Sequence, residues 1–286
     1  MTTCAPFTVG ALGLNDLRPA RTMSTHTLPG HVQPFRMGRA QQWGVWLVAL
    51  VLLWSLSRLD LSWARFLLGL DGAGKFVARM FPPVFDPRAE LIKGLWETLQ
   101  IAVLASAAGV VLSLPMGLLA ARNLMPASVT WVARFVITLC RTFHPVIVAI
   151  VFVKAVGFGV LAGILALTVA SVGFLGKLFA EAIEEVSMKQ VEAVRATGAS
   201  FANVLGFAIL PQVLFRFIGF IAYEVDSNLR NSTMVGIVGA GGIGGTLFAA
   251  FQRFDYDFVL GMVLCIMAII GIGEVLQWAV KKVFGQ

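Results

Sequence analysis

Apolar runs long enough to cross a bilayer recur along this chain, separated by short polar stretches. A helix needs about 20 predominantly apolar residues to span roughly 30 Å of hydrocarbon. Windows that meet or approach that length are residues 41–57, 98–121, 128–153, 155–176 (continuing toward 180), 204–226 and 258–280. The third is interrupted by Arg134, Arg141 and His144. Uninterrupted apolarity of this length predicts helices, because barrel strands would alternate over segments of about ten residues. The expected fold is therefore an all-α integral membrane protein with six transmembrane helices.

The stretch 231–252 is also uncharged, but Gly236, Gly239, Gly241, Gly242, Gly244 and Gly245 crowd into ten residues of it. Each internal glycine costs a helix about 1 kcal/mol relative to alanine. A broken or re-entrant element shielded by protein is expected there in place of a seventh span. Six spans put both termini on one side. Arg36, Arg39, Arg122, Lys281 and Lys282 gather at span ends on that side, which marks it as cytoplasmic. The 58–95 loop is also basic and must lie outside; its Trp63, Phe66, Leu67, Phe76 and Phe81 predict interfacial helices.

Composition agrees with a membrane protein, at 58% hydrophobic and 13% charged residues. A soluble chain needs more polar surface than that. The net charge of +7 is scattered, with no basic helix or aromatic-basic repeat, so nucleic acid is not an expected partner. Cys4, Cys140 and Cys265 are odd in number and far apart, which suits structural thiols. Residues 1–40 show no periodicity and are expected to form a mobile cytoplasmic tail, with Met23 an alternative start.

Two glycine motifs mislead. Gly69 to Phe76 resembles a phosphate-binding P-loop but lacks the final hydroxyl residue and a preceding strand. Gly239 to Gly244 satisfies G-x-G-x-x-G but joins membrane elements, where close packing is the better reading. His26, His31 and His144 stand apart from any nucleophile, and no enzyme chemistry is expected of this chain.

The polar island at 181–203 carries Glu181, Glu184, Glu185, Lys189, Glu192 and Arg195. Met188, Val191 and Val194 form a narrow apolar stripe of a short helix. Gly198 can end that helix in a left-handed turn, and a second helix starts near Ser200. Pro211 favours a bend in the next span. An ordinary interspan loop would also fit this composition. The spacing Glu192-Ala193, Gly198 and Leu210-Pro211, however, resembles the EAA loop of ABC-transporter permeases, with Val194 and Ala208 departing from its pattern.

Over residues 95–282 the likeness sharpens. Arg195-Ala196-Thr197-Gly198-Ala199, Leu210-Pro211-Gln212 and Asn228-Leu229-Arg230-Asn231-Ser232-Thr233, followed by the glycine run, resemble permeases of phosphonate importers, a family that also serves phosphite and hypophosphite. The resemblance implies the type I importer permease fold, a five-helix core plus one N-terminal span. Its domains would be the tail 1–40, a first span and periplasmic interfacial segment at 41–95, and a core at 96–282. It implies that Val191, Glu192, Ala193, Arg195, Ala196, Gly198 and Pro211 couple the spans to an ATPase. No cofactor is expected in this chain, since ATP and Mg²⁺ would sit on that partner. The implied partners are two ATP-binding cassette subunits, a periplasmic substrate-binding protein, a second permease subunit (a copy or a relative), a phosphorus oxyanion and the bacterial inner membrane.

Charges within spans are costly and face protein or water. Arg134 and Arg141 share a helix face, and Glu224 and Asp226 would repel an oxyanion unless paired with Arg216 or Arg230. Arg141, Asn228, Arg230, Ser232, Thr233 and Gly241 are the expected translocation pathway, with Asn228, Arg230, Ser232 and Thr233 at its outer mouth. Importers of phosphate or methionine, a stand-alone anion channel and a membrane-embedded enzyme are the competing readings.

Overall fold

The computed structural model describes residues 38–58 and 62–283. The expected tail at 1–40 lies almost wholly outside them. Two compact units divide at Leu67. The first contains helix α1, Arg39–Arg58, an apolar helix with no buried residue of its own. Helix α2, Trp63–Met80, begins at the boundary. The P-loop look-alike falls inside this helix, where Lys75 pairs with Asp71 at 2.5 Å. Within the second unit, the Phe76 ring packs edge-on against Tyr256.

The second unit is built on two long helices, α3 at Arg88–Ala120 and α6 at Val160–Glu184. Their contact is made by small residues. A Cβ on Gly109 would lie 2.4 Å from Ser171 Cβ, and one on Gly117 would lie 2.6 Å from Phe179 Cβ. Lipid tails are as apolar as leucine, so close backbone approach, rather than exclusion of water, holds such helices together.

Between them, the window expected as one span at 128–153 is two helices bent by 90°, α4 at Ala127–Thr142 and α5 at Pro145–Val156. The cause is local. Proline disfavours helical backbone in the residue before it, and Phe143 and His144 are both extended. Pro145 then opens α5 at a position where its missing N–H costs nothing. A 10-residue-scale reading of hydropathy passes over this break because both halves are apolar.

After α6 come the short helix α7, Met188–Ala196, and a continuous helical stretch from Phe201 to Ile237. That stretch consists of α8 (Phe201–Val204), a π turn (Leu205–Ile209) and α9 (Leu210–Ile237). The expected end near Asp226 is thus exceeded by eleven residues. The polar run continues as helix because several of its side chains find partners inside the bundle, although Asp226 Oδ1 and Thr233 Oγ1 are buried without one. Asp226 is paired with Arg230 one turn on, and the Ser232 hydroxyl donates to Leu229 O at 2.7 Å.

Helix α9 ends in the glycine run, where Gly239, Gly241 and Gly242 have φ of +89°, +81° and +81°. Only glycine adopts these values readily. The short helix α10, Ile243–Gln252, follows, then α11, Tyr256–Val283. The start of α10 is held by α3, with Gly242 N–H donating to Glu97 Oε2 at 3.1 Å and Ile243 N–H to Thr98 Oγ1 at 2.8 Å. Among the described residues, five helices are long and apolar enough to span a bilayer, and the bent α4–α5 pair brings the number to six if it is one broken span.

Candidate functional site

Two places carry chemistry beyond packing, the elbow around α7 and a polar cavity between α4, α6 and α9.

The elbow is anchored by its own apolar stripe. Val191 is fully buried with Phe179, Ile183, Val204, Ile209 and Val213. It therefore fastens α7 to the spans and offers no side chain to a partner. Glu192, Ala193, Arg195 and Ala196 are exposed on the other side of the helix. Gly198 closes α7 with φ +76°, its N–H donating to Arg195 O at 3.0 Å. Ser200 then caps α8 in extended backbone.

Pro211 does not simply kink the following helix. The π turn immediately before it lets Leu210 N–H bond to Leu205 O, one residue farther back than in an α-helix. Gln212 ties this turn to the elbow. Its amide donates to Ala208 O at 2.6 Å, while its carbonyl oxygen accepts from Ser187 N–H, just ahead of α7, at 2.9 Å. Glu184, at the end of α6, accepts from Arg134 on α4 and from the Arg122 backbone N–H, both at 2.7 Å. Arg216 pairs with Glu185. Neither Gln212 nor Glu184 is among the candidate coupling residues; Gln212 belongs to the Leu210-Pro211-Gln212 motif without a role read from it, and one glutamate among four carries no distinctive signal.

The second site centres on Arg141, which is exposed. It lines a groove of about 540 Å³ together with Arg134, Thr138, Thr142, Lys177 and Glu181. It also lines a second cavity of about 220 Å³ with Tyr223, Glu224, Ser227, Asn228 and Asn231. In the first, Arg134 is neutralised by Glu184 and Lys177 by Glu181, at 2.7 and 3.4 Å. Arg141 has no ion pair or hydrogen bond among the described residues. Gly173 lets it settle there, since a Cβ on that residue would lie 2.7 Å from Arg141 Cγ and 3.0 Å from its backbone nitrogen.

Behind the cavity runs a buried chain of hydrogen bonds. The Asn228 amide donates to Ser106 Oγ at 3.0 Å and to Ser171 Oγ at 2.9 Å, and Ser171 Oγ donates to Glu224. These serines are small residues within apolar runs, indistinguishable in sequence from packing positions.

The expected outer mouth therefore splits. Arg141 and Asn228 come together at one cavity. Arg230 is instead engaged by Asp226 and by Glu274 on α11. Ser232 is fully buried, and the Thr233 carbonyl packs against Gly244. Gly241 packs its α-carbon on the backbone of Val160 at the start of α6. Helical continuation through residue 237 is the reason, because it turns these side chains toward different neighbours. The six-helix reading had ended the span before them.

A broken-span helical bundle with an anchored elbow and an interior polar cavity defines a multi-pass membrane permease. The family model described as "Binding-protein-dependent transport system inner membrane component" matches residues 113–283, and the chain belongs to that family. It is 43% identical over 218 residues to the phosphate-import permease protein PhnE of Mycolicibacterium smegmatis, covering 75% of this chain but 41% of that protein. It is 38% identical over 238 residues to the phosphite transport system permease protein PtxC of Stutzerimonas stutzeri, covering 83% and 86% of the two chains. Among solved structures, the inward-facing MetNI methionine ABC transporter matches with a TM-score of 0.61 at 22% identity, over 68% of this chain and 96% of that one. That likeness establishes the fold.

Proposed function

We propose that this chain is the transmembrane permease subunit of an ATP-driven importer of phosphorus oxyanions in the bacterial inner membrane, with both termini cytoplasmic. Two separate ATP-binding cassette subunits supply ATP and Mg²⁺, a periplasmic substrate-binding protein delivers the anion, and a second permease subunit completes the pore. The observation that carries the substrate class is Arg141, an exposed cation without a counter-ion among the described residues, on the wall shared by two clefts. A guanidinium with no carboxylate partner favours a phosphorus oxyanion, which it can bind through two parallel N–H donors. The similarity to phosphate and phosphite permeases supports the same class.

Coupling follows from the elbow. Glu192, Ala193, Arg195 and Ala196 face outward on a helix whose other side is locked into the spans by Val191. A motor subunit gripping that outer face moves α9 through Gln212 and carries α4 along with α6 through Glu184. The small side chains of Ala193 and Ala196 allow close approach, and Gly198 and Pro211 fix the direction in which the chain leaves. The test is Gly198→Pro. Proline requires φ near −65°, whereas Gly198 sits at +76°. Membrane insertion should persist while ATP-dependent uptake and substrate-stimulated ATP hydrolysis both collapse. Normal coupling in that variant, or purification of active material with no ATP-hydrolysing companion, would sink this reading.

A further inference from the structure

Glu224 is out of keeping with a passage for anions. It lines the same 220 Å³ cavity as Arg141. It would repel an oxyanion unless paired with Arg216 or Arg230, yet Arg216 pairs with Glu185, and Arg230 pairs with Asp226 and Glu274. Among the described residues, Glu224 accepts hydrogen bonds from Ser171 Oγ and from the Asn228 side chain, and no cation lies within ion-pair distance. A guanidinium and a carboxyl thus border one cavity and do not close on each other.

The groups around Glu224 reinforce this asymmetry. Both N–H bonds of the Asn228 amide are engaged by Ser106 and Ser171, so only its carbonyl oxygen remains for the cavity. The Ser171 hydroxyl hydrogen is directed to Glu224. The wall at Glu224 and Asn228 therefore offers acceptors, and the α4 wall at Arg141 offers donors. A bare oxyanion satisfies only the second. A buried acceptor left without a partner is penalised, so a ligand that supplies a donor is favoured over one that does not.

We propose that Glu224 is a specificity-determining residue that accepts a hydrogen bond from a donor carried by the phosphorus oxyanion, while Arg141 holds its unprotonated oxygens. The donor is an ammonium group or a P–OH group. Asn228, through Ser171, positions the carboxyl. This inference rests on the permease function above.

The test uses the complete transporter, with its ATPase and binding protein, in proteoliposomes. The probes are 2-aminoethylphosphonate and propylphosphonate, near-isosteres that differ in ammonium against methyl, at alkaline pH where P–OH is scarce. The binding protein is common to all samples, so a change in the uptake ratio between variants belongs to the permease. Glu224→Gln should lower the ammonium-to-methyl ratio about tenfold, the size of one hydrogen bond to a charged group. Glu224→Asp should lower it in the same direction. Arg141→Gln should slow both probes and leave their ratio unchanged. For the P–OH source, acidifying the outer medium should raise propylphosphonate uptake in the wild type and not in Glu224→Gln. An unchanged ratio in both Glu224 variants, with uptake persisting, overturns the proposal and leaves the permease function intact. Absence of ATP-dependent uptake of either probe by the wild type overturns both.

Discussion

The elbow and the interior cavity handle charge in opposite ways. Around the elbow and in the larger groove beside it, Glu184 meets Arg134, Glu185 meets Arg216, and Lys177 meets Glu181. At the cavity, Arg141 and Glu224 border the same space with neither paired. Matched charges at the membrane edge fix geometry and add little else. Glu224 is buried, where an unmatched charge is costly, whereas the exposed Arg141 guanidinium stays free for something that arrives. The contrast separates residues that transmit force from residues that meet cargo, a distinction that residue type alone does not make.

Three substitutions would break or sharpen this contrast. The largest effect is expected from Gly173→Ala. Its new Cβ would lie 2.7 Å from Arg141 Cγ and 3.0 Å from the Arg141 backbone nitrogen, so α4 must move away from α6. Overpacking of this kind costs about 1–3 kcal/mol; thermal unfolding of the purified complex should show the loss, and uptake should fall with it. A smaller loss is expected from Glu184→Ala, which strands the Arg134 guanidinium and the Arg122 N–H. With both side chains of the pair about 30% exposed, roughly 1–2 kcal/mol is expected, read as a lower unfolding temperature and weaker stimulation of ATP hydrolysis. Least affected in stability should be Arg141→Gln, within about 0.5 kcal/mol, because no partner is left behind. Uptake should nevertheless drop. If Arg141→Gln instead unfolded the complex as severely as Gly173→Ala, the contrast between matched and unmatched charge would fail.

Much of this architecture was legible in the hydropathy pattern. The apolar windows fall on α1, α3, α6, α9 and α11, and Gly198 closes α7 as its position predicts. The 90° break at Phe143 to Pro145 was hidden because residues on both sides are apolar, and the deciding signal was one proline. The extension of α9 past Asp226 was hidden for the opposite reason. Polar residues argued for an exit from the membrane, yet Ser106 and Ser171, distant in sequence, supply partners that keep Asn228 inside. A single chain read in isolation shows which groups need satisfying, not which neighbours the fold will bring.

The π turn at Leu205–Ile209 has a consequence for insertions and deletions. It accommodates one residue more than a regular α-turn would, and each residue of an α-helix advances the azimuth by about 100°. Removing one residue there would restore an ordinary helix and leave Glu192 and Arg195 near their present azimuth, because the wide turn already absorbs that residue. Removing one from the regular part of α9 would instead swing this handle by that angle, toward the wrong quarter of the compass.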